Sequence, residues 1–142
     1  MAQYLTQDLI VDLGDNHPED TTLNMLHFRE RQTTLVIARS ALPEQQTLDD
    51  AYTLQMELLR KQLSGFDCTD PKHVLIGQAP QSEGREVALQ FMHGDQPTFQ
   101  LQLACLLPGQ PRLLVLNYSK HSLLTDADIE HWRWIKKSLR FT

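Results

Sequence analysis

The segment TFQLQLACLL, residues 98–107, alternates like a β-strand but has no charged face. One side of this strand is plainly apolar and carries Phe99, Leu101, Leu103, Cys105 and Leu107. The other side is amide, small or aliphatic and carries Gln100, Gln102, Ala104 and Leu106. Because neither side suits water, the strand belongs to a sheet that is covered on both faces.

Two further segments behave in the same way. In TLNMLHF, Leu23 and Met25 share one side of a strand, and in TLVIA, Val36 and Ala38 share one side. A sheet built from such strands needs extensive cover on both faces. We expect helices alone to cover too little of it, which leaves a second copy of the chain or a bound ligand to complete the burial.

The stretch TLDDAYTLQMELLRKQLSGF, residues 47–66, predicts an amphipathic helix. Thr47 suits the N-cap with Asp50 three residues later, and Gly65 suits the end of the helix. The apolar residues span roughly 200°, whereas an ordinary surface helix has an apolar stripe of roughly 100°. The wide arc predicts contact on two sides, one of which a partner could occupy.

Gln55 and Gln62 project into the middle of this apolar arc, where aliphatic side chains are expected. In one interpretation each long stem packs in the protein's own core and the amide reaches an edge or a local carbonyl. In the other, the amide pairs with polar groups of a bound partner, since a glutamine both donates and accepts hydrogen bonds.

The remaining segments complete an order of strands, helix, strands and helix. Residues 4–13 give one weak strand, and further strands are predicted at residues 22–29, 33–40, 73–78, 83–93, 98–107 and 112–119. Thr125 caps a second helix that has Asp126 and Asp128 in its first turn. We predict a single domain, residues 1–142, with an α+β fold. It would contain a mostly antiparallel, twisted sheet of about six or seven strands and two main helices.

Composition narrows the class of protein. The chain has 142 residues, of which 41% are hydrophobic and 22% charged, as in an ordinary globular protein. No apolar stretch approaches the roughly 20 residues of a membrane span, and the acidic N-terminal region does not resemble a signal peptide. We therefore expect a cytoplasmic protein without membrane insertion. The net charge of −5 and the scattered basic residues argue against nucleic-acid binding.

Residue patterns typical of catalysis or metal binding are missing from the sequence. The histidines show no metal-ligand spacing and are expected at the surface or at strand edges: His17, His27, His73, His93, His121 and His131. Cys68 and Cys105 lack a nucleophile signature and are expected to be free thiols. We predict that the protein is not an enzyme and has no catalytic residues, no metal site and no cofactor.

Several segments together carry a family resemblance. A strand ends in IARSA (residues 37–41), a helix ends in KQLSGF (residues 61–66), and a Trp-bearing helix ends the chain after further strands. This order resembles the DcrB-related Eag chaperones of bacterial type VI secretion, and among them those of Rhs-type effectors. The resemblance spans nearly the whole chain and implies the Mog1/PsbP-like fold.

The resemblance also implies a function. Eag chaperones bind the N-terminal transmembrane helices of a secreted effector, shield them in the cytoplasm and help load the effector onto the secretion spike. The resemblance therefore implies three partners. They are the transmembrane region of an effector, a VgrG-type spike that is contacted indirectly through that effector, and a second copy in a homodimer with a cupped apolar surface.

The resemblance places the effector-binding site on specific residues. The cleft strands of the family match Leu23, Met25 and Val36, and its amide-bearing positions match Gln55 and Gln102. Neighbours on the same strand faces complete the predicted site, which comprises Leu23, Met25, Val36, Ala38, Gln55, Gln102 and Ala104. Gln55 and Gln102 are also residues that the patterns alone single out.

Other functions remain open from the sequence. A carrier of a small apolar ligand or lipid would use the same apolar cup without a protein client. An enzyme with an unrecognised site would need a deep pocket with perturbed titratable groups. A plain structural dimer would bury the mixed sheet face against itself.

Overall fold

The computed structural model describes residues 2–19, 21–78 and 81–141. Within that part of the chain, nine strands and two helices follow one another. The first half contains β1 (Ala2–Leu5), β2 (Ile10–Gly14), β3 (Asn24–Phe28), β4 (Thr33–Ala41), α1 (Leu48–Gln62) and β5 (Ser64–Cys68). The second half contains β6 (Lys72–Ile76), β7 (Ser82–His93), β8 (Gln96–Leu106), β9 (Arg112–Lys120) and α2 (Asp126–Ser138).

Seven of these strands form one antiparallel sheet in the order β3-β4-β9-β8-β7-β5, with β6 also paired to β7. The remaining strands, β1 and β2, form a separate two-stranded sheet. The predicted α+β fold, with a mostly antiparallel sheet and two main helices, is therefore confirmed.

Both helices begin where the sequence predicts, because each has a complete capping box. The Asp50 backbone N–H donates to the Thr47 hydroxyl at 3.1 Å, and the Thr47 backbone N–H donates to the Asp50 carboxylate at 3.0 Å. Thr125 and Asp128 make the same pair of bonds at 3.1 and 2.9 Å. These local contacts fix the helix starts without help from the rest of the fold.

Two predicted boundaries are wrong. Helix α1 ends at Gln62, before the expected stop at Gly65, because residues 64–68 pair with β7 as strand β5. Residues 4–13 form a hairpin of β1 and β2 rather than one strand. The polar segment between them closes a turn, in which the Thr6 backbone N–H donates to the Leu9 carbonyl at 3.0 Å.

Each helix covers one face of the large sheet. The α2 face holds a core of Leu35, Ile76, Leu103, Cys105, Leu114, Leu116, Tyr118 and Trp132. The α1 face holds a core of Leu48, Tyr52, Met56, Val87, Leu89, Ala104, Leu113 and Val115. Because neighbours along β8 alternate between these two cores, the strand is apolar on both sides, as its sequence requires.

Buried polar contacts on β7 fix both helices to the sheet. Arg85, buried under the first turn of α1, donates from Nε to Asp49 Oδ1 at 2.7 Å and from Nη2 to Asp49 Oδ2 at 3.1 Å. On the opposite face, Glu86 accepts from Trp132 Nε1 at 2.8 Å and also from Lys136. Charge-assisted bonds of this kind give geometric specificity as well as energy.

The tryptophans of α2 provide a matched test of this packing. Trp132 is 2% exposed in the core, whereas Trp134, two residues along the helix, is 68% exposed. Replacing Trp132 by Ala should lower the free energy of unfolding by about 3 to 5 kcal/mol through lost burial and a residual cavity. Trp134→Ala should change it by less than about 0.5 kcal/mol. Urea denaturation followed by circular dichroism measures both, and equal losses would contradict this packing.

Candidate functional site

The strand register brings the predicted site residues of the sheet onto one face. Met25 pairs with Val36, Val36 with Asn117, Asn117 with Gln102, and Gln102 with Val87. Residues paired across antiparallel strands point to the same side of the sheet. Five strands therefore contribute one continuous row of side chains, and α1 lies on the side to which this row points.

Helix α1 covers only part of this face. Its buried residues Leu48, Tyr52 and Met56 pack over β7, β8 and β9. The face of β3 and β4 extends beyond the helix, so Leu23 and Met25 are 59% and 57% exposed. The uncovered strip is mostly apolar.

A groove with a volume of about 390 Å³ lies between α1 and strands β4 and β9. Ala51, Leu54, Gln55 and Leu58 of the helix form one wall. The rest of the lining comes from the end of β4, the segment after it and β9: Ala38, Arg39, Ser40, Ala41, Leu42, Pro43, Gln46, Leu113, Val115 and Asn117. Leu54 and Leu58 are about half exposed. The wide apolar arc of the helix thus has one part in the core and another part along this groove.

Charge is almost missing from the groove. Arg39 is the one ionisable residue among those that line it, and its Nη1 donates to Asn24 Oδ1 at 2.7 Å. A lining of aliphatic side chains with a few amides suits an uncharged, largely apolar partner, because a charged group away from Arg39 would lose its hydration there without gaining an ion pair.

Unpartnered amides lie beside the groove. The Gln55 Oε1 atom is buried and has no hydrogen-bond partner among the described residues, and the same holds for both polar atoms of the Gln102 amide. Such groups are uncommon in folded proteins, and each costs on the order of 1 to 3 kcal/mol. In contrast, Gln100 Nε2 donates to Asn117 Oδ1 at 2.9 Å. Two of the three glutamines that the sequence singles out, Gln55 and Gln102, therefore have buried polar atoms without partners in the described part of the chain, as does Thr33 at the start of β4.

The predicted site residues do not all occupy equivalent places. Gln55 and Ala38 line the groove, and Leu23, Met25 and Val36 belong to the face beyond it. Gln102 is 1% exposed and Ala104 is fully buried, so both lie beneath the surface that a partner would touch. Gln62 is exposed near the end of α1 and does not line the groove.

The sequence interpretation missed some of the groove. Asn117, Leu54 and Leu58 line it, as does the segment from Ser40 to Pro43. Asn117 had a readable signal, since it is an amide within the apolar strand LLVLNYS, the same anomaly that identified Gln102. The segment after β4 had none, because its place beside α1 depends on the tertiary fold.

One histidine packs beside the core on the α2 face. His131 differs from the expectation of a surface or strand-edge position: its ring packs edge-on against Phe28, and its Nδ1 lies 2.8 Å from the Tyr118 hydroxyl. Burial, helped by the charge of Arg31, lowers the pKa of His131. No group of three or more His, Cys, Asp or Glu that could hold a metal ion occurs in residues 2–19, 21–78 and 81–141.

Over the same described ranges, neither helix is long and apolar enough to cross a membrane. Large apolar side chains are exposed beside the groove, on the β1–β2 hairpin and on β3, and also at Leu123 before α2 and at Trp134 within it.

The fold and the groove define a small α+β protein with an apolar cleft between a helix and an antiparallel sheet. The chain belongs to the DcrB family, because the sequence model of that family matches residues 11–138. Its fold is similar to the crystal structure of PA94, a protein of unknown function from Pseudomonas aeruginosa, with a TM-score of 0.73 and 18% sequence identity. The similarity covers 99% of this chain and 96% of that one. No curated protein matches the sequence significantly.

The cysteines give a test of the core beneath the site. Burial raises the pKa of Cys105 to about 12, so its thiol stays protonated near neutral pH. Cys68 is half-buried and its Sγ accepts from Arg60 at 3.4 Å. A disulfide-exchange reagent at pH 8 should therefore react readily with Cys68 alone in the folded protein, and with both cysteines in denaturant. Fast reaction of Cys105 in the folded protein would contradict the burial described here.

Proposed function

We propose that the protein is a cytoplasmic chaperone that binds the N-terminal transmembrane helices of a type VI secretion effector. It shields these helices until the effector is loaded onto the secretion spike. The groove beside α1 is the binding surface, and the bound segment is an apolar helix. The secretion role itself rests on the resemblance to the DcrB-related Eag chaperones. Membership of the DcrB family supports the broader part of this resemblance.

The observation that carries this proposal is the combination of an apolar, nearly uncharged groove with an unpartnered amide in its wall. A purely aliphatic groove would suit any apolar ligand. The Gln55 side chain lines the groove, and its Oε1, which is shielded from solvent, has no hydrogen-bond partner among the described residues. Rotation of the side-chain amide presents this acceptor to a client. A client helix offers apolar side chains together with occasional polar groups, and this groove has a counterpart for each.

The energetics favour an amide over a charge in this place. Covering apolar side chains of a client contributes about 25 cal/mol per Å² removed from water. Polar groups of a client helix, such as backbone groups near Gly or Pro or small hydroxyls, cost on the order of 1 to 3 kcal/mol when buried unpaired. Gln55 can satisfy such a group without the desolvation cost of a buried ion.

The shape of the groove also suits a helix. The groove-lining residues of α1 run from Ala51 to Leu58, which is about 11 Å, or two turns, at 1.5 Å per residue. A client helix lying along this wall would present about two turns to it, and its other turns would extend over the open face of β3 and β4. Helix-in-groove binding of this kind is a common mode of peptide recognition.

Gln102 has a secondary role in client binding, because it lies beneath the surface of the groove. Its amide is buried beneath the surface, beside Asn117 in the row across the sheet. A client reaches it when α1 moves slightly from the sheet or when the side chain changes rotamer. Gln55 therefore makes the larger contribution to capture, and Gln102 the smaller one.

A small apolar ligand or lipid is the second candidate for the groove. Its volume of about 390 Å³ falls within the roughly 300 to 1,000 Å³ of small-molecule sites. This carrier function predicts a lipid that can be extracted from the purified protein and no dependence on a protein client. Mass spectrometry of an organic extract distinguishes the carrier from the chaperone.

Client capture tests the proposed function. The tagged protein is co-expressed with the product of the neighbouring effector gene, and the captured effector is quantified. Gln55→Leu should weaken capture about two- to tenfold, because one hydrogen bond contributes about 0.5 to 1.5 kcal/mol. Val36→Glu should weaken it much more, because it places an unpaired carboxylate against apolar client side chains. Unfolding of Gln55→Leu should require the same denaturant concentration or slightly more.

Gln62→Leu is the matched control, since Gln62 is on the same helix but exposed outside the groove. It should leave capture unchanged. If Gln55→Leu altered stability while capture stayed at the wild-type level, Gln55 would serve the protein's own core and the proposed role of this amide would be wrong.

A further inference from the structure

The charge of the chain is segregated. Residues 1–28 contain five acidic residues and no Lys or Arg, whereas the rest of the chain balances 13 acidic against 13 basic residues. The entire net charge of −5 therefore originates in the N-terminal segment. Two of the five acidic residues, Asp8 and Asp12, lie within residues 2–14, which contain no Lys or Arg. This part of the chain is therefore attracted to a positively charged surface.

The same segment begins with a hairpin that has no core of its own. None of residues 2–14 is buried, and none belongs to either core cluster. Leu5 and Ile10 are 65% and 66% exposed, and Leu9 and Val11 are exposed as well. An isolated two-stranded hairpin is marginally stable in water, so this arm needs a surface to pack against.

The outer edge of β3 has the complementary properties. It is the first strand of the seven-stranded sheet, and its outer backbone groups pair with no other strand among the described residues. Met25 and Leu26 are exposed on its opposite faces. The β3–β4 hairpin also carries Arg29, Arg31 and Arg39 against the single acidic residue Glu30. The edge thus offers backbone hydrogen bonds, apolar side chains and positive charge.

We propose that the β1–β2 hairpin is an exchange arm that binds the β3 edge of a second copy of this chain. Both halves of the complementary pair are present on every copy. In a dimer with a twofold axis, the arm of each copy therefore binds the β3 edge of the other copy, as in closed homodimers. An unrelated partner would match only one half and leave the other exposed.

The exchanged arm also completes the groove. Helix α1 borders one side of the apolar face of the sheet. On the other side, at β3, Leu23 and Met25 are exposed. An arm of the second copy along β3 places Leu5, Leu9 or Ile10 at this open side. The inference rests on the homodimer expected for the proposed chaperone, but it does not depend on the identity of the client.

Light scattering after size-exclusion chromatography tests the arm. At micromolar concentration the wild-type protein should have the mass of a dimer. Ile10→Asp in the arm and Leu26→Asp on the β3 edge should each weaken self-association about tenfold or more, since both put a carboxylate into an apolar contact. Leu5→Asp provides a second arm variant should Ile10→Asp fold poorly. Far-ultraviolet circular dichroism should be unchanged, because these side chains are outside both cores.

Leu75→Asp is the matched control, because Leu75 is an exposed strand residue outside the arm and the β3 edge, at 68% exposure. It should remain dimeric. A monomeric wild-type protein would overturn both the homodimer and the arm. A dimer that persists in the arm variants, or that dissociates equally in Leu75→Asp, would overturn the arm alone. Client capture is measured separately, so failure of the proposed function would leave these masses unaffected.

Discussion

The burial of β8 on both faces is the constraint on which the rest of the structure depends. Leu103 and Cys105 point into one core, and Ala104 points into the other. Both faces must therefore be covered, and one helix is packed against each. Because α1 is fixed over β7 by the bond between Arg85 and Asp49, it leaves the β3–β4 side of its face open. The groove follows directly from this placement.

Polar groups at the groove favour specificity over stability. Replacing the amide of Gln55 by an aliphatic group would complete an apolar surface, and a protein selected for stability alone has no need of it. Retaining an unpartnered acceptor in a nearly uncharged groove is understandable if a bound segment supplies the donor. The β1–β2 hairpin is a similar case. Its apolar side chains are exposed and are not buried by the rest of its own chain.

Features set by local chemistry could be predicted from the sequence. The capping boxes at Thr47 and Thr125 fixed both helix starts, and period-two alternation identified the long strands. Strand β5 could not be predicted, because SGFDC has little alternation and becomes a strand only through pairing with β7. His131 was misplaced since its burial depends on Tyr118 and Phe28 from distant segments. Gln102 was recognised as anomalous, but its depth beneath the groove depends on where α1 lies.

In the proposed function, the Gln55 amide makes a hydrogen bond to a bound apolar helix. Side-chain amide resonances of ¹⁵N-labelled protein test it during titration with a synthetic Leu/Ala helix of about 20 residues that carries central glycine and serine. The Gln55 amide should show a changed chemical shift and slower solvent exchange, because a bond to Oε1 polarises the amide and the bound helix excludes water. The exposed Gln62 amide should stay unchanged. An unchanged chemical shift and exchange rate of the Gln55 amide at a saturating concentration of helix would contradict this role of Gln55.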